Sequence, residues 1–450
     1  MTAPVIGIFA DNGLPWLAAD AYCREAKAVC VPLPAFFTPK QLQWAVQSSG
    51  MTTLLTDRPD LHIWTALGFA HDGEQSGLSR LVRAAEAVVI PSGTEKITFT
   101  SGSTGNPKGV CLSRESMDAV AGSIASIMKS IGLQKHLCAL PLPVLLENVA
   151  GADAARLAGV ECISPSLAEM GWSGSSQWNP RAFLQCVQVH RIGSAILLPQ
   201  MLKALIPHVA DYDVSCLKML AVGGARVAAD LLLQARAAGL PVYEGYGLSE
   251  CSSVVAFNRF DADKPGTVGK PLPHVQVRVS DVGELEVNGP AFLGYLGETP
   301  REAGDWLATG DLVRIDNDGF LAITGRRKNL LISSYGRNVS PEWVESELLA
   351  QPGILQAAVF GEAKPALCAV VFAPQLDARS LENAIAVANR SLPDYAHVQH
   401  IIRAGESFSA SFCPATDSYL ATSNGRNKRD AIAAFYSQAI ADVYRQERVS

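Results

Sequence analysis

The densest group of possible anion ligands in the sequence is a loop of hydroxyl, glycine and lysine residues near position 100. The loop contains Thr100, Ser101, Gly102, Ser103, Thr104, Gly105, Asn106, Pro107 and Lys108. Glycines allow the backbone to turn its N–H groups towards an anion, and the hydroxyls and the ammonium add further donors. Pro107 precedes the lysine and Gly109 follows it, so the run is not a Walker A motif. These residue types predict a loop that holds a polyphosphate.

A second polar cluster places an aromatic residue between two glycines. It reads Glu244, Gly245, Tyr246, Gly247, Leu248, Ser249 and Glu250. We expect the glycines to leave one face of the Tyr246 ring free for a planar base, and Glu250 to offer a carboxylate to Mg²⁺. By itself this cluster is weak evidence for a nucleotide site, because an aromatic residue between glycines is more often a packing feature. Asp311 and Arg326 each follow a Thr-Gly pair, and each is also weak evidence for a binding site when taken singly.

Hydrophobic spacing predicts the elements that position these residues. The β-branched run Ile97-Thr98-Phe99-Thr100 leads into the polar loop, and Ser113 can cap a helix after it. The apolar positions of that helix keep a 3.6-residue period: Met117, Val120, Ile124, Ile127, Met128 and Ile131. A helix, a turn and a strand are predicted in residues 42–55, and further strands at 194–198, 219–222 and 242–244. This alternation favours an α/β architecture with a largely parallel sheet.

The pattern changes in the last third of the chain. Alternating strands are predicted within residues 275–287 and 311–323, and Asp316-Asn317-Asp318-Gly319 supplies the residues of a hairpin turn. From about Gly325 a smaller unit is predicted, in which Ser340-Pro341-Glu342 opens a helix. We therefore expect a large domain at residues 1–325 and a small one at residues 326–450.

The composition excludes several classes of protein. The 450 residues carry 37 Lys and Arg against 43 Asp and Glu, which leaves no basic field of the kind that a dedicated nucleic-acid-binding protein uses. No run of 18 or more apolar residues predicts a transmembrane helix. The ten cysteines form no C-x-x-C pair, which suits a reducing cytosol, and the eight histidines show no metal-binding spacing. We expect a cytoplasmic protein without a nucleic-acid partner.

In this order and spacing, the segments resemble the adenylate-forming (AMP-binding) superfamily, which includes acyl-CoA synthetases and nonribosomal-peptide adenylation domains. The runs at residues 243–250, 266–273 and 319–326 look most like its fatty-acyl-CoA ligase branch. The resemblance covers residues 90 to 435. It implies an α/β fold with a large N-terminal domain of layered α/β subdomains, mostly parallel sheets and a small β-barrel-like portion. A small, mobile α+β C-terminal domain would follow.

The resemblance also implies roles for single residues on the phosphate and ribose sides of a nucleotide. The loop from Thr100 to Lys108 would hold the β- and γ-phosphates of ATP, and Thr104 and Glu250 would bind Mg²⁺. Asp311 would bind the ribose hydroxyls with help from Arg326.

Other implied roles concern the base, the acyl group and the second substrate. The adenine and the acyl group would contact Gly223, Gly224, Ala225, Glu244, Gly245, Tyr246 and Gly247. Ser249 would touch the α-phosphate, and Lys328 would be the hinge about which the small domain rotates between half-reactions. Gly336 would lie beside the pantetheine arm of an incoming thiol. The catalytic set implied is Lys108, Ser249, Lys328 and Arg426.

The sequence departs from the family's pattern at three places. The C-terminal segment has Arg426 where the family usually has a lysine, with Lys428 two positions on as a possible substitute. Arginine keeps the charge but has a different geometry. Residues 140–144 lack the histidine or aromatic residue that often borders the acyl pocket. Only 99 residues precede Thr100, so we expect part of the N-terminal subdomain to be reduced.

The implied activity is ATP-dependent ligation, in which a carboxylic acid becomes an acyl-adenylate and then passes to the thiol of coenzyme A. The aliphatic run at residues 195–199 indicates an apolar, fatty or related acid. Two alternatives remain at this point: transfer to the phosphopantetheine of an acyl carrier protein, and a degenerate, non-catalytic protein that binds nucleotide or acyl-adenylate. Arg426 and the short N-terminal region motivate the second alternative.

Overall fold

The structure is a computed structural model that describes residues 3–100, 107–173, 177–302, 304–334, 337–422 and 426–446. The strands are β1 Val5–Phe9, β2 Val29–Pro32, β3 Thr53–Thr56, β4 Ala70–Gln75, β5 Leu78–Val82, β6 Lys96–Thr100, β7 Lys108–Leu112, β8 Lys135–Leu137, β9 Glu161–Ile163, β10 Trp172–Ser173, β11 Gln177–Trp178, β12 Ser194–Leu197, β13 Met219–Val222, β14 Val242–Leu248, β15 Ser253–Phe257, β16 Lys270–Pro271, β17 Gln276–Val279, β18 Glu284–Asn288, β19 Gly294–Tyr295, β20 Leu307–Ile315, β21 Leu321–Arg326, β22 Leu331–Ile332, β23 Asn338–Val339, β24 Gln356–Phe360, β25 Leu367–Phe372, β26 Val398–Arg403, β27 Phe412–Cys413 and β28 Ser418–Tyr419.

Helices connect most of these strands. The α-helices are α1 Leu14–Glu25, α2 Pro39–Ser48, α3 His62–Ala66, α4 Arg114–Ser130, α5 Ala154–Ala158, α6 Pro180–His190, α7 Pro199–Leu205, α8 Ala229–Ala237, α9 Pro341–Ala350, α10 Ala378–Arg390, α11 Arg429–Phe435 and α12 Ser437–Gln446. The shorter 3₁₀ turns are Ile206–Asp211, Ser249–Cys251, Arg327–Asn329, Asp394–Ala396 and Pro414–Thr416. A π-helix, Leu146–Asp153, runs directly into α5. Within the described residues, none of the helices is long and apolar enough to cross a membrane.

Two mixed sheets build most of the large domain. The first has the order β19-β7-β6-β2-β1-β3-β5-β4, and its four central strands, β6, β2, β1 and β3, are parallel. The second has the order β16-β15-β14-β13-β12-β8-β9, in which the five strands from β14 to β9 are parallel. The expected α/β architecture with parallel sheets is confirmed.

Local sequence signals explain several element boundaries. Ser113 accepts a hydrogen bond from the backbone N–H of Ser116 and so caps α4 as predicted. Ser340 caps α9 in the same way. Gly50, at a φ of 63°, separates α2 from β3 as the helix–turn–strand pattern predicts. Gly319, at a φ of 83°, completes the predicted hairpin turn between β20 and β21.

The β-rich portion is a four-stranded antiparallel sheet with the order β17-β18-β20-β21. Its apolar face packs against β15, and the resulting core contains Cys251, Val255, Leu285, Val313 and Leu321. After β21, the chain enters the α+β unit, where α9 and α10 pack on the three-stranded sheet β24-β25-β26. α11 packs on the opposite face of that sheet. Strand pairing brings Tyr246 of β14 next to Asp311 of β20, which lies opposite Arg326 at the end of β21. We call the region around these residues, Gly224 and Lys108 the cleft.

Candidate active site

One side of the cleft is built on Asp311. The antiparallel register of β20 and β21 places Asp311 opposite Arg326, and Arg326 Nε lies 2.8 Å from Asp311 Oδ1. Tyr246, at the end of β14, donates its hydroxyl to Asp311 Oδ2 at 2.6 Å. Burial raises the pKa of Asp311, whereas Arg326 and the Tyr246 hydrogen bond oppose that rise. Both carboxylate oxygens are therefore held in fixed positions before any ligand arrives.

The glycines on either side of Tyr246 are needed for the pairing of two strands. A Cβ at Gly247 would lie 1.5 Å from the carbonyl oxygen of Ser253, and one at Gly245 would lie 2.8 Å from the Phe257 ring. Both contacts arise because β14 and β15 pair closely. These glycines therefore allow β15 to approach, and the free face of the Tyr246 ring stays a prediction.

The opposite side of the cleft contains Lys108. Thr100 and Lys108 face each other where β6 and β7 pair, at the two ends of the polar loop. Lys108 Nζ lies 3.2 Å from Glu298 Oε1 and 4.6 Å from the ring centroid of Tyr295. The loop residues Ser101, Gly102, Ser103, Thr104 and Gly105 lie outside the described residues, so their predicted phosphate and Mg²⁺ contacts remain predictions.

Glu250 joins Lys108 on this side through Tyr295. Glu250 lies in the 3₁₀ turn Ser249–Cys251, and Tyr295 donates its hydroxyl to Glu250 Oε1 at 2.8 Å. The short strand β19 pairs with the edge of β7, opposite Val110, which brings Tyr295 beside Lys108. Burial and the neighbouring Glu250 raise the pKa of Tyr295, so the phenol is a donor. Ser249 is half-buried next to Glu250.

Sequence reasoning missed Tyr295 and Glu298. Neither residue belongs to a polar cluster along the chain, and Tyr295 lies 45 positions from Glu250. Only the antiparallel pairing of β19 with β7 brings them to the site.

The floor of the cleft is the turn after β13. Gly223 is buried, and a Cβ there would lie 3.3 Å from the carbonyl oxygen of Gly245, whereas Gly224 takes a φ of 83°. Two half-buried leucines lie against this turn: the nearest atom to a Cβ at Gly224 is Leu198 Cδ2, at 3.2 Å, and Leu146 Cδ2 lies 4.0 Å from one at Gly223. Ala225 is exposed.

Glu244 lies beneath this floor on β14 and is almost fully buried. Its Oε1 accepts a hydrogen bond from the backbone N–H of Val227 at 3.2 Å. Burial raises the pKa of Glu244 to about 8. A carboxyl group that stays protonated near neutral pH can donate a hydrogen bond as well as accept one.

Arg426 reaches the cleft from the small domain. Its Nη2 donates to the carbonyl oxygen of Gly224 at 3.0 Å. Although the residue as a whole is exposed, removal of its guanidinium from water and repulsion by Arg326 lower the pKa of Arg426, while Asp311 and Glu250 act in the opposite direction. Its charge therefore acts on both sides of the cleft.

The segment that carries Arg426 is anchored to the small-domain sheet. Asn427 donates its amide to the carbonyl oxygen of Ala357 at 2.7 Å, and Arg429 Nη2 lies 2.6 Å from Glu345 Oε1. Lys428, the other candidate cation, is half-buried at the N-terminus of α11, where burial lowers its pKa. In this arrangement Arg426 is the residue that contacts Gly224.

A lysine of the large domain also contacts the small domain. Lys203, on α7, donates to carbonyl oxygens at the C-terminal end of α9, with Nζ 2.9 Å from that of Ile354. Burial lowers the pKa of Lys203 to about 8. An ammonium with three donors at a helix C-terminus stabilises this domain arrangement.

Two predicted residues remain, Lys328 and Gly336. Lys328 is exposed in the 3₁₀ turn Arg327–Asn329, which connects β21 to β22. Gly336 lies outside the described residues.

Comparison with known protein families supports one assignment for the chain. The model of the AMP-binding enzyme family matches residues 2–296, and that of the AMP-binding enzyme C-terminal domain matches residues 328–448. A long-chain-fatty-acid–CoA ligase of Mycobacterium bovis is 47% identical over 154 residues, which are 33% of this chain and 26% of that ligase. The matched part of the chain therefore spans about a quarter of that relative. A feruloyl-CoA synthase of an Amycolatopsis species is 30% identical over 375 residues, 76% of this chain and 72% of the synthase.

Solved structures share the fold. A structure of an anthranilate CoA ligase in complex with anthranoyl-AMP superposes with a TM-score of 0.76 at 16% identity, covering 98% of this chain and 88% of that one. A structure of the o-succinylbenzoate CoA synthetase from Bacillus subtilis gives 0.73 at 21% identity, over 95% and 88% of the two chains. Because the family model matches more than half of the residues, the fold and the sequence lead to the same conclusion: this chain belongs to the AMP-binding enzyme family.

Proposed function

We propose that the protein is an ATP-dependent acid–thiol ligase that forms an acyl-adenylate and then transfers the acyl group to the thiol of coenzyme A. One observation carries the proposal: Arg426 of the small domain contacts Gly224 and lies within electrostatic reach of both Asp311 and Glu250. Three chain regions thus converge on one cleft with a cation at its centre. The CoA ligases among the relatives support the same class of reaction.

In the first step, a carboxylate oxygen of the acid attacks the α-phosphorus of ATP. A bond forms between that oxygen and phosphorus, the bond between the α-phosphorus and the bridging oxygen breaks, and pyrophosphate leaves. Two anions must meet, so a positioned cation lowers the barrier. Arg426 would supply it with a fork of N–H donors, because a guanidinium can bridge a carboxylate and a phosphate. Lys108 would hold the leaving phosphates and Asp311 the ribose hydroxyls, while Ser249 would donate to the α-phosphate.

The residues present fit a bound Mg²⁺. Glu250 offers a hard carboxylate whose orientation is fixed by the Tyr295 hydroxyl, which is the kind of ligand that this ion prefers. When bound, the ion would neutralise part of the triphosphate charge. Glu250 would hold it, with Thr104 of the polar loop as a second ligand.

In the second step, the thiol sulfur forms a bond with the acyl carbon, AMP leaves with the bonding electrons, and the thiol proton passes to solvent. We place the hinge for the required domain rotation at Lys328, in the exposed turn between the proposed domains at residues 1–325 and 326–450. Rotation would withdraw Arg426 from the cleft and bring Gly336 to the pantetheine arm.

We further propose that the acid is apolar. Of the aliphatic run at residues 195–199, Ala195, Ile196 and Leu197 are corrected, because they are buried core residues of β12 and their aliphatic character serves packing. The support comes from Leu198 of the same run and from Leu146, which are half-buried beside the floor of the cleft. Apolar side chains next to the reaction centre favour an apolar substituent on the acid.

The test is pyrophosphate release over a panel of fatty, aromatic and amino acids, with coenzyme A, with a phosphopantetheinylated carrier protein and without an acceptor. We expect release with an apolar acid and a thioester with coenzyme A. Thioester formation only on the carrier protein would contradict coenzyme A as the acceptor. Pyrophosphate release with amino acids alone would contradict an apolar acid as the substrate. No release with any acid would support the non-catalytic alternative.

A hinge variant separates the two steps. Lys328→Pro fixes φ at the hinge and should restrict rotation. We expect acyl-adenylate formation to persist and thioester formation to fall. A neighbouring variant, Arg327→Ala, removes the ion pair with Glu284 without fixing φ and serves as the control. Equal loss of both steps in Lys328→Pro, with an unchanged melting temperature, would contradict a hinge at this position.

A further inference from the structure

A buried group of metal-ligating side chains lies away from the cleft, at the edge of the second sheet. His136 is on β8, Cys138 follows that strand, and Glu147 is on the π-helix. One potential ligand atom from each lies within 4.8 Å of the other two. His136, Cys138 and Glu147 are at most 1% exposed. Sequence spacing did not reveal this group, because the π-helix brings Glu147 back to the strand.

A second thiol lies directly beside Cys138 and could serve as a fourth ligand. β8 and β9 are parallel, and their register places Cys162 opposite His136. Cys162 Sγ lies 3.3 Å from Cys138 Sγ. Cys162 is half-buried, whereas the other three residues are buried.

Outer hydrogen bonds orient the imidazole and the carboxylate towards each other. His136 Nδ1 lies 2.8 Å from Ser194 Oγ, which leaves Nε2 directed at Glu147 Oε1, at 3.1 Å. The other carboxylate oxygen accepts the backbone N–H of Leu140 at 2.9 Å. Ligating histidines and carboxylates in metal sites are held by outer partners of this kind.

The backbone leaves room for this arrangement at Gly151. A Cβ there would lie 2.2 Å from Glu147 Oε1 and 2.8 Å from His136 Nε2. An extended π-helix is rare and is found most often at functional sites. Here it lets Glu147 and Gly151 both face His136 of β8.

We propose that His136, Cys138, Glu147 and Cys162 bind a zinc ion. Ligand atoms around tetrahedral Zn²⁺, with bonds of about 2.0–2.3 Å, lie about 3.3–3.8 Å apart. The two sulfurs are 3.3 Å apart, His136 Nε2 and Glu147 Oε1 are 3.1 Å apart, and the ligand atoms of His136, Cys138 and Glu147 lie within 4.8 Å of one another, so these three residues would close on the ion and Cys162 would follow Cys138. Two sulfurs and an imidazole select a borderline-soft ion and not Mg²⁺ or Ca²⁺. Binding displaces the thiol protons of Cys138 and Cys162 and the proton between His136 and Glu147.

A closed site with four protein ligands is structural. The ion would tie β8 and β9 to the π-helix, and so fix residues 140–145, which lead into Leu146 of the cleft. This inference does not depend on the proposed ligase activity, because it is tested by metal binding alone.

The experiment is metal uptake by the full chain. The protein is stripped with a chelator under reducing conditions, dialysed against Zn²⁺ or Co²⁺ and assayed for bound metal. We expect one tightly held zinc per chain, and for cobalt a thiolate-to-metal charge-transfer band with the visible bands of a tetrahedral site. Zinc should raise the melting temperature, because it binds only the folded chain.

Variants assign the ligands. Cys162→Ser should lose the tightly held zinc and weaken the charge-transfer band, and Ser194→Ala should lower zinc affinity about 10–100-fold through the His136 ring. Cys186→Ser, at an equally half-buried thiol on α6, is the matched control and should leave both unchanged. Because Ser194→Ala and Cys162→Ser alter single atoms, the test does not depend on a disruptive core variant.

Three results would overturn the proposal. The first is the absence of stoichiometric zinc in the folded wild-type chain. The second is equal uptake by wild type, Cys162→Ser and Ser194→Ala, which would mean adventitious binding elsewhere. The third is a disulfide mapped to Cys138 and Cys162 in a zinc-free protein, which would make the pair a redox site.

Discussion

The two sides of the cleft are built in different ways. On the side proposed to bind the ribose, Asp311 is 4% exposed and both of its carboxylate oxygens have protein partners, Arg326 and Tyr246. On the side proposed to bind the phosphates, the side chains of Lys108 and Glu298 are 48% and 54% exposed, and they form a surface ion pair. Buried, fully bonded groups are rigid, whereas exposed pairs exchange partners at little cost. The side proposed to bind the ribose is thus organised in advance, whereas on the side proposed to bind the phosphates Lys108 can exchange Glu298 for another anion.

The difference follows from what each side is proposed to bind. A ribose is neutral and presents hydroxyl groups in fixed positions, so a rigid carboxylate is the better partner. A triphosphate carries several negative charges and needs a lysine as a partner. While no triphosphate is bound, that lysine would have no partner on an exposed surface. Glu298 and the Tyr295 ring hold Lys108 in place until then. Variants on the two sides should therefore fail in different ways.

The largest effect is expected for Glu250→Gln on the phosphate side. An amide is a poor ligand for Mg²⁺, and metal-ion stabilisation of developing charge contributes several kcal/mol, so the rate of pyrophosphate release should fall about 10³-fold or more. Tyr295→Phe, which removes only the hydrogen bond to the same carboxylate, is the control and should cost far less. Near-wild-type release by Glu250→Gln would place the metal elsewhere.

The next effect is expected for Arg426, the cation that serves both sides. Arg426→Ala should slow adenylate formation about 10²–10³-fold, because two anions would then meet without a bridging donor. Thioester formation from supplied acyl-adenylate should change little, and Arg426→Lys should retain adenylation. Lys428→Ala is the matched control. If Lys428→Ala lost adenylation while Arg426→Ala adenylated at the wild-type rate, Lys428 would be the bridging cation.

A smaller effect is expected on the ribose side. Asp311→Asn loses charged hydrogen bonds worth about 1.5–3 kcal/mol, so the KM for ATP should rise about 10–100-fold, with a smaller change in kcat. The wild type should respond in the same way to ATP that lacks a ribose hydroxyl, and the two changes together should cost less than their sum. Full additivity would show that Asp311 does not contact the ribose.

The smallest effect is expected for Glu298→Gln. An exposed ion pair contributes about 0–1 kcal/mol, so releasing Lys108 should lower the KM for ATP by no more than about 5-fold, and the gain should disappear at high salt. Titration of KM against ionic strength in wild type and variant measures this directly. A large loss of activity would mean that Glu298 binds a ligand itself, and the proposed exchange would be wrong.

Much of the fold could be predicted because its signals are local. Met219–Val222 forms the predicted strand with the same bounds, and Ser113 and Ser340 cap the helices that their positions indicate. Capping residues, turn glycines and β-branched runs act within a few positions of the chain, so they can be read from the sequence alone.

The site could be predicted only in part. Asp311, Arg326, Glu250 and Arg426 occur in recognisable runs, and the structure brings them to one cleft. Tyr295, Glu298 and Leu146 do not occur in such runs, because each reaches the cleft by packing or strand pairing with a distant segment. Leu198 belongs to the aliphatic run at residues 195–199, but only the structure separates it from the buried residues of that run. The same holds for the histidine–cysteine group, in which a parallel register and a π-helix bring together residues up to 26 positions apart.

The sequence by itself determined the order of the elements, the class of fold, and the residue types available for nucleotide chemistry. Tertiary structure alone decided which of those residues are in contact and how burial shifts their pKa values. Gly247 is needed because a carbonyl oxygen of β15 would otherwise collide with a side chain, and Glu244 has a pKa of about 8 because the fold removes it from water. Close contact and desolvation depend on atoms that are distant along the chain, so no local pattern encodes them.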